Sequence, residues 1–185
     1  MKCGAADNFT PAPEGLRQSP VVLLIGYGNL LRSDDGVGPA IVSRLAAIFA
    51  GDSRCACLMP HQLTPEIAEQ VAGVERVVFV DASVEEGAGE VRIRRLDPEH
   101  GAESPLGHSA TPEAILALSK ALYHRAPRAW SIAVGVANLA VGDRLSPAVA
   151  RAANRLCRRL SYRIRHWCRS LELPLSHKDG SHVCQ

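Results

Sequence analysis

Chemistry-bearing side chains fall in three short segments of the sequence: Asp34-Asp35 after a glycine-rich turn, Asp81 at the end of an apolar run, and His108 inside Gly107-His108-Ser109. Oxygen donors joined by an imidazole suit a borderline transition metal such as Ni²⁺ or Zn²⁺ with coordination positions left open. Each residue also has a plainer reading. Asp81 could cap a turn, Asp34 and Asp35 could serve as charges at a helix N-terminus, and His108 could be an exposed loop histidine. Asp81 resists the plainer reading best, because an apolar strand has no need to end in a charge.

The turn itself, Gly26-Tyr27-Gly28-Asn29-Leu30-Leu31-Arg32-Ser33-Asp34-Asp35-Gly36-Val37-Gly38, superficially matches a dinucleotide loop, in which backbone N–H groups receive a phosphate. Leu31 stands where the third glycine belongs, and two aspartates precede the helix where the anion would sit. The acidic ribose partner expected about twenty residues on is missing as well. Paired carboxylates repel pyrophosphate and attract a cation. No Gly-x-Ser-x-Gly elbow or compelling Cys/His pair points to a covalent serine or cysteine mechanism.

These groups can meet only if strands carry them to a common rim. Val21-Val22-Leu23-Leu24-Ile25 is a β-branched apolar run ending at Gly26, as expected of a strand buried on both faces. A helix is predicted over 39–50, with Pro39 tolerated in its first turn, and a second strand over 54–59. Thr64-Pro65-Glu66 predicts a helix start with threonine as cap, and Arg76 to Ala82 a third, buried strand. Residues 89–95 alternate Val91 and Ile93 with charges, predicting an antiparallel edge strand. Thr111-Pro112-Glu113 opens another helix, residues 130–136 a last strand, and Ser146-Pro147 a long helix reaching about to Leu171. Strands alternating with helices predict an α/β fold, a three-layer α/β/α sandwich on a twisted, mainly parallel five-stranded sheet with one antiparallel edge strand. In such a sheet the functional groups collect at the carboxyl ends of the strands.

A chain of 185 residues, 46% of them hydrophobic, is long enough for one substantial core and too short for two comfortable domains. The expected organisation is a mobile leader over 1–20, a single domain over 21–172 and a disordered tail over 173–185. A formal net charge of +2 argues against nucleic-acid binding. The late arginines 151, 155, 158, 159, 163, 165 and 169 read as a solvated helix face. The sequence shows neither a secretory leader nor an apolar run of membrane-spanning length, so a cytoplasmic protein is expected, with its six cysteines reduced. Cys55-Ala56-Cys57 lacks the spacer of a redox or zinc pair and reads as buried strand cysteines, while the His166, Cys168, His177, His182 and Cys184 group reads as a frayed tail.

Taken in order, the motif at 26–38, Leu63-Thr64-Pro65-Glu66, Val80-Asp81-Ala82, Gly107-His108-Ser109, Val134-Gly135-Val136 and Gly142-Asp143-Arg144-Leu145-Ser146-Pro147-Ala148-Val149 resemble the hydrogenase maturation endopeptidases. The resemblance spans 21 to about 153. It implies an aspartic-type endopeptidase, monomeric and without a permanent cofactor, that removes a C-terminal extension from the nickel-loaded large-subunit precursor of a [NiFe] hydrogenase. It places the metal-contacting and catalytic roles on Asp35, Asp81 and His108, with the nickel supplied by the precursor. The metal would orient the precursor and either act as a Lewis acid near the scissile bond or, with a carboxylate, activate water. Two departures stand out. Some relatives carry glutamate where this chain has Asp35, one methylene shorter, and Ala137-Asn138 replaces a Gln-Pro pair found after the last strand in others. Two other readings are a nonenzymatic nucleotide-binding or chaperone-like α/β module and a general peptidase on the same fold.

Overall fold

In the computed structural model, which describes residues 20–98 and 110–169, the strands are β1 (Val22–Gly26), β2 (Cys55–Leu58), β3 (Arg76–Ser83), β4 (Val91–Leu96) and β5 (Arg128–Gly135). The helices are α1 (Val37–Ile48), α2 (Ile67–Ala72), α3 (Pro112–Tyr123) and α4 (Pro147–Arg169), and a 3-10 turn, Ser33–Gly36, leads into α1. The sheet order is β2-β1-β3-β5-β4. All neighbours pair in parallel except β4, which runs antiparallel to β5. This is the expected five-stranded sheet. The expectations for the leader and the tail lie outside the described residues.

Period-two alternation along the strands divides the core into two layers. Leu24, Val78, Val80, Ile132 and Val134 face α1 and α4, where they meet Ile41, Leu45, Leu156 and Leu160. Leu23, Ile25, Val77 and Phe79 face the other way, onto Ile67 and Val71 of α2 and Ile115 and Leu116 of α3. With helices on both faces, β1 and β3 have no solvent side, which is why their sequences are continuous apolar runs. The edge strand β4 shows the opposite composition: Val91 to Arg95 are exposed, and its arginines pair with Glu85, Glu86 and Glu113. Charged edges of this kind discourage pairing with a second sheet.

The arginines of α4 lie on its exposed face while Val149, Leu156, Leu160 and Ile164 are buried, so the helix is a covering element with a solvated side. His166 and Cys168 belong to this helix rather than to a frayed tail: apolar burial of Ile164 and Cys168 and the stacking of Trp167 on Trp130, 4.9 Å between centroids, hold its last turns down. The remaining members of that histidine and cysteine group lie outside the described residues. Cys55 and Cys57 are half-buried on β2 and free, since an edge strand is covered less completely than a central one.

The Thr111-Pro112-Glu113 start behaves as expected, with Thr111 Oγ1 accepting the Ala114 N–H at 3.1 Å and His124 closing α3 in a left-handed conformation. Thr64 does not. The helix α2 begins only at Ile67, because Thr64 and Pro65 form a preceding turn whose carbonyls accept from Ile67 and Ala68, both at 3.1 Å. The N-cap position falls on Glu66, and no side chain caps the helix.

The first turn of α1 lies directly on the sheet. A Cβ at Gly38 would strike the carbonyls of Val80 and Tyr27, and one at Gly26 would strike the carbonyl of Gly38, so helix and strands meet backbone to backbone. Gly38→Ala is therefore expected to lower stability by about 2–3 kcal/mol through overpacking that no side-chain rotation relieves. Urea unfolding measures this, and a wild-type midpoint would refute the close approach.

Candidate active site

The loop between β1 and α1 is tied to itself. Gly28 sits at φ +135°, and any Cβ there would meet the Asp35 carbonyl, so glycine is required. Asn29 Oδ1 accepts the Leu31 N–H at 2.9 Å, and the Asn29 N–H donates to Asp35 Oδ2 at 3.0 Å. Ser33, in the left-handed region at φ 49°, directs the next two residues to opposite tasks.

Asp34 points inward and is fully buried. Its Oδ2 accepts the N–H groups of Ala137 and Asn138, both at 2.9 Å, and its Oδ1 accepts that of Ser146 at 2.6 Å. Burial would raise its pKa, but the N–H donors of Ser146, Ala137 and Asn138 outweigh this and hold it below the usual carboxylate range. Further bonds join the same loops: Ser33 N–H to the Gly142 carbonyl at 2.8 Å, Gly142 N–H to the Leu31 carbonyl at 3.0 Å, and Ser33 Oγ to the Ala140 carbonyl at 3.0 Å. Asp34 is thus a structural brace, and the pair Asp34-Asp35 does not act as a cation-seeking unit. Asn138 contributes here in a way that proline could not, because proline has no N–H to donate.

Asp35 remains at the rim, half-buried, with Oδ2 engaged by Asn29. Asp81, at the carboxyl end of β3, lies close enough to Asp35 for their charges to repel. Its Oδ1 accepts the Ala82 N–H at 2.8 Å, and the Tyr27 side chain lies nearby. Burial first, and Asp35 in addition, push the Asp81 pKa up to about 6 against the opposing effect of the Tyr27 hydroxyl and the Ala82 N–H. Tyr27 is itself pushed far up, by burial and by the Asp81 charge, so it stays a protonated donor at every physiological pH.

Of the three candidate ligands, Asp35 and Asp81 are near enough for the charge of the first to act on the second; His108 lies outside the described residues. Among the described residues no group of three His, Cys, Asp or Glu side chains could hold a metal ion. A carboxylate pair alone offers only oxygen, so an added imidazole would complete a set suited to nickel. Two contributors escaped the sequence reading. Ala137 and Asn138 both act through backbone N–H groups that no residue type announces.

No protein-family model matches the sequence, and no curated protein does. Solved structures do match. HycI, a [NiFe] hydrogenase maturation protease from Thermococcus kodakarensis, superposes with a TM-score of 0.64 at 19% identity over 80% of this chain and 94% of that one. The hydrogenase maturating endopeptidase HybD from E. coli gives 0.63 at 19% identity, over 79% and 93%. The chain has the fold of the hydrogenase maturation proteases. HybD from T. kodakarensis, at 24% identity with a TM-score of 0.58, is covered over 99% of its length and covers 78% of this chain, so the likeness takes in essentially that whole protease.

Two pH effects of opposite sign follow. The folded pKa of Asp34 is depressed, so its stabilisation is present above the unfolded value of about 4 and is lost as pH falls through the folded value. Asp34→Asn should cost about 2–4 kcal/mol at pH 7, and less at pH 3. The folded pKa of Asp81 is raised, so its ionisation opposes folding as pH rises from about 4 through 6. Asp81→Asn should gain about 1–2 kcal/mol at pH 7 and nothing below pH 4. Urea titrations of both variants at the two pH values check the signs, and parallel curves for the two would contradict the assignment of brace and strained carboxylate.

Proposed function

We propose that this chain is an endopeptidase of the hydrogenase maturation family that removes the C-terminal extension from a nickel-loaded [NiFe] hydrogenase large-subunit precursor. What supports this reading is the fold shared with solved maturation proteases, in which the Asp35 charge acts on the buried Asp81 at the end of β3. In these carboxylates, one partly engaged and one carrying a raised pKa, ligands for an incoming cation are held ready, and strained carboxylates at a rim are a usual mark of function. The nickel is cargo of the substrate. Asp35, Asp81 and His108 would complete its coordination, so a precursor without metal would dock poorly and metal loading would become the recognition signal.

The surroundings favour a protein substrate. Leu30 and Leu31 on the loop after β1 and Val141 on the loop after β5 are exposed, Val141 at 92%, and hydrogen bonding between Leu31 and Gly142 holds them side by side. Apolar side chains clustered beside a polar centre are typical of a macromolecular contact. The bound nickel would act as a Lewis acid near the scissile carbonyl or, with a carboxylate, activate the attacking water. Protein of this kind works as a soluble processing factor in the cytoplasm and meets its substrate as a monomer. Among the described residues no helix is long and apolar enough to cross a membrane.

Incubation with nickel-loaded and nickel-free precursor, followed by mass measurement, tests the proposal. Shortening of the loaded form alone is expected, and Asp35→Ala, Asp81→Ala and His108→Ala should each reduce cleavage at least about 100-fold. Intact cleavage in all three variants would remove the site; equal cleavage of metal-free precursor or of unrelated unfolded proteins would favour a general peptidase.

A further inference from the structure

Helices α1 and α4 lie side by side on one face of the sheet, where their buried sides share one core layer. Both begin at the site rim: α1 follows the turn that holds Asp35, and α4 follows Ser146, whose N–H bonds to Asp34. Their outward sides also meet, with Arg44 Nη1 donating to Asn154 Oδ1 at 2.6 Å and the Arg165 guanidinium lying over the Phe49 ring. Neither helix contains an aspartate or glutamate, and together they carry eight arginines. Within α4, exposed Arg151, Arg155, Arg158, Arg165 and Arg169 follow a helical period, with exposed Tyr162 filling the place between Arg158 and Arg165. That period keeps the six side chains on one stripe about 27 Å long.

None of the eight arginines takes part in an ion pair among the described residues. Like charges at such spacings destabilise a helix, and solubility is served as well by mixed signs. The chain as a whole is only +2, so its remainder is net acidic and the positive charge is gathered on this face.

We propose that the face formed by α1 and α4 docks on an anionic lipid surface, with arginines on headgroup phosphates and Tyr162 at the interface. The guanidinium fork matches phosphate, and an exposed tyrosine suits the boundary between water and lipid. A protein partner would have to set a carboxylate against each fixed and desolvated arginine, whereas headgroups stay hydrated and move laterally to meet them. A nucleic-acid duplex is read by an element that enters a groove, and α4 is held out of one by the burial of Val149, Leu156, Leu160 and Ile164 against the sheet. The contact is peripheral, and among the described residues no helix is long and apolar enough to cross a membrane. Because both helices start at the site rim and run away from it, attachment leaves the loops that carry Asp35 and Asp81 uncovered.

Co-sedimentation of the purified chain with vesicles tests this. Binding is expected to vesicles of equal parts phosphatidylglycerol and phosphatidylcholine, not to phosphatidylcholine alone, and it should weaken steeply as salt rises. Arg151→Gln, Arg155→Gln and Arg158→Gln combined should weaken it about 100-fold, while lysine at the same three positions should retain most of it. Equal binding to both kinds of vesicle, wild-type binding by the glutamine variant, or loss of binding in the lysine variant would each overturn the proposal. Release from the vesicles by a short DNA duplex at equal phosphate concentration would give the face to nucleic acid and overturn it too. The comparison of vesicles needs no substitution, so it stands whatever the stability of the variants, and every readout is independent of precursor cleavage.

Discussion

The carboxylate of Asp34 accepts N–H groups from Ala137, Asn138 and Ser146, joining the loop after β1 to the loop after β5 and to the start of α4. Those segments lie more than a hundred positions away along the chain, and no other described side chain gathers so many of their backbone donors. A buried anion without such donors would be expelled or protonated, because desolvation of an isolated charge costs several kcal/mol or more. With them, the charge organises the rim. The left-handed Ser33, its bonds to Gly142 and Ala140, and the Asx turn at Asn29 all converge on the same arrangement.

Asp35 benefits from that brace without sharing it. Adjacent residues in a 3-10 turn project in different directions, so anchoring Asp34 inward leaves Asp35 outward, where the Asn29 N–H steadies one oxygen. The sheet then decides what Asp35 faces. Because β1 and β3 are parallel neighbours with Gly26 in register with Val80, the loop after β1 opens directly over the end of β3 and over Asp81. The close backbone packing of Gly26 and Gly38 removes the space that would otherwise separate the loop from the strand. Burial at the end of β3, with the Asp35 charge as a smaller contribution, is what raises the Asp81 pKa.

The covering helices contribute by completing both faces of the sheet. On one side α1 and α4 bury the face that carries Leu24, Val80 and Val134, and on the other α2 and α3 bury Ile25 and Phe79. The Tyr27 ring also packs against this second layer.

Much of this was legible in the residues alone. Continuous apolar runs at 21–25 and 77–80 had to be buried parallel strands, the alternation around Val91 and Ile93 had to be an edge, and the carboxylates could be assigned to strand ends because hydrophobic period and turn chemistry are local properties. Local signals also misled, as at Thr64, where a turn closed by the Thr64 and Pro65 carbonyls precedes the helix and moves its N-cap to Glu66. The division of labour between Asp34 and Asp35 was not legible, since the two residues are chemically identical and adjacent. Only the tertiary structure decided it, by bringing three distant N–H groups to one of them and a buried carboxylate at a strand end to the other. Backbone donors carry no signature in residue type, and the charge of a neighbour matters only after folding has set the distance.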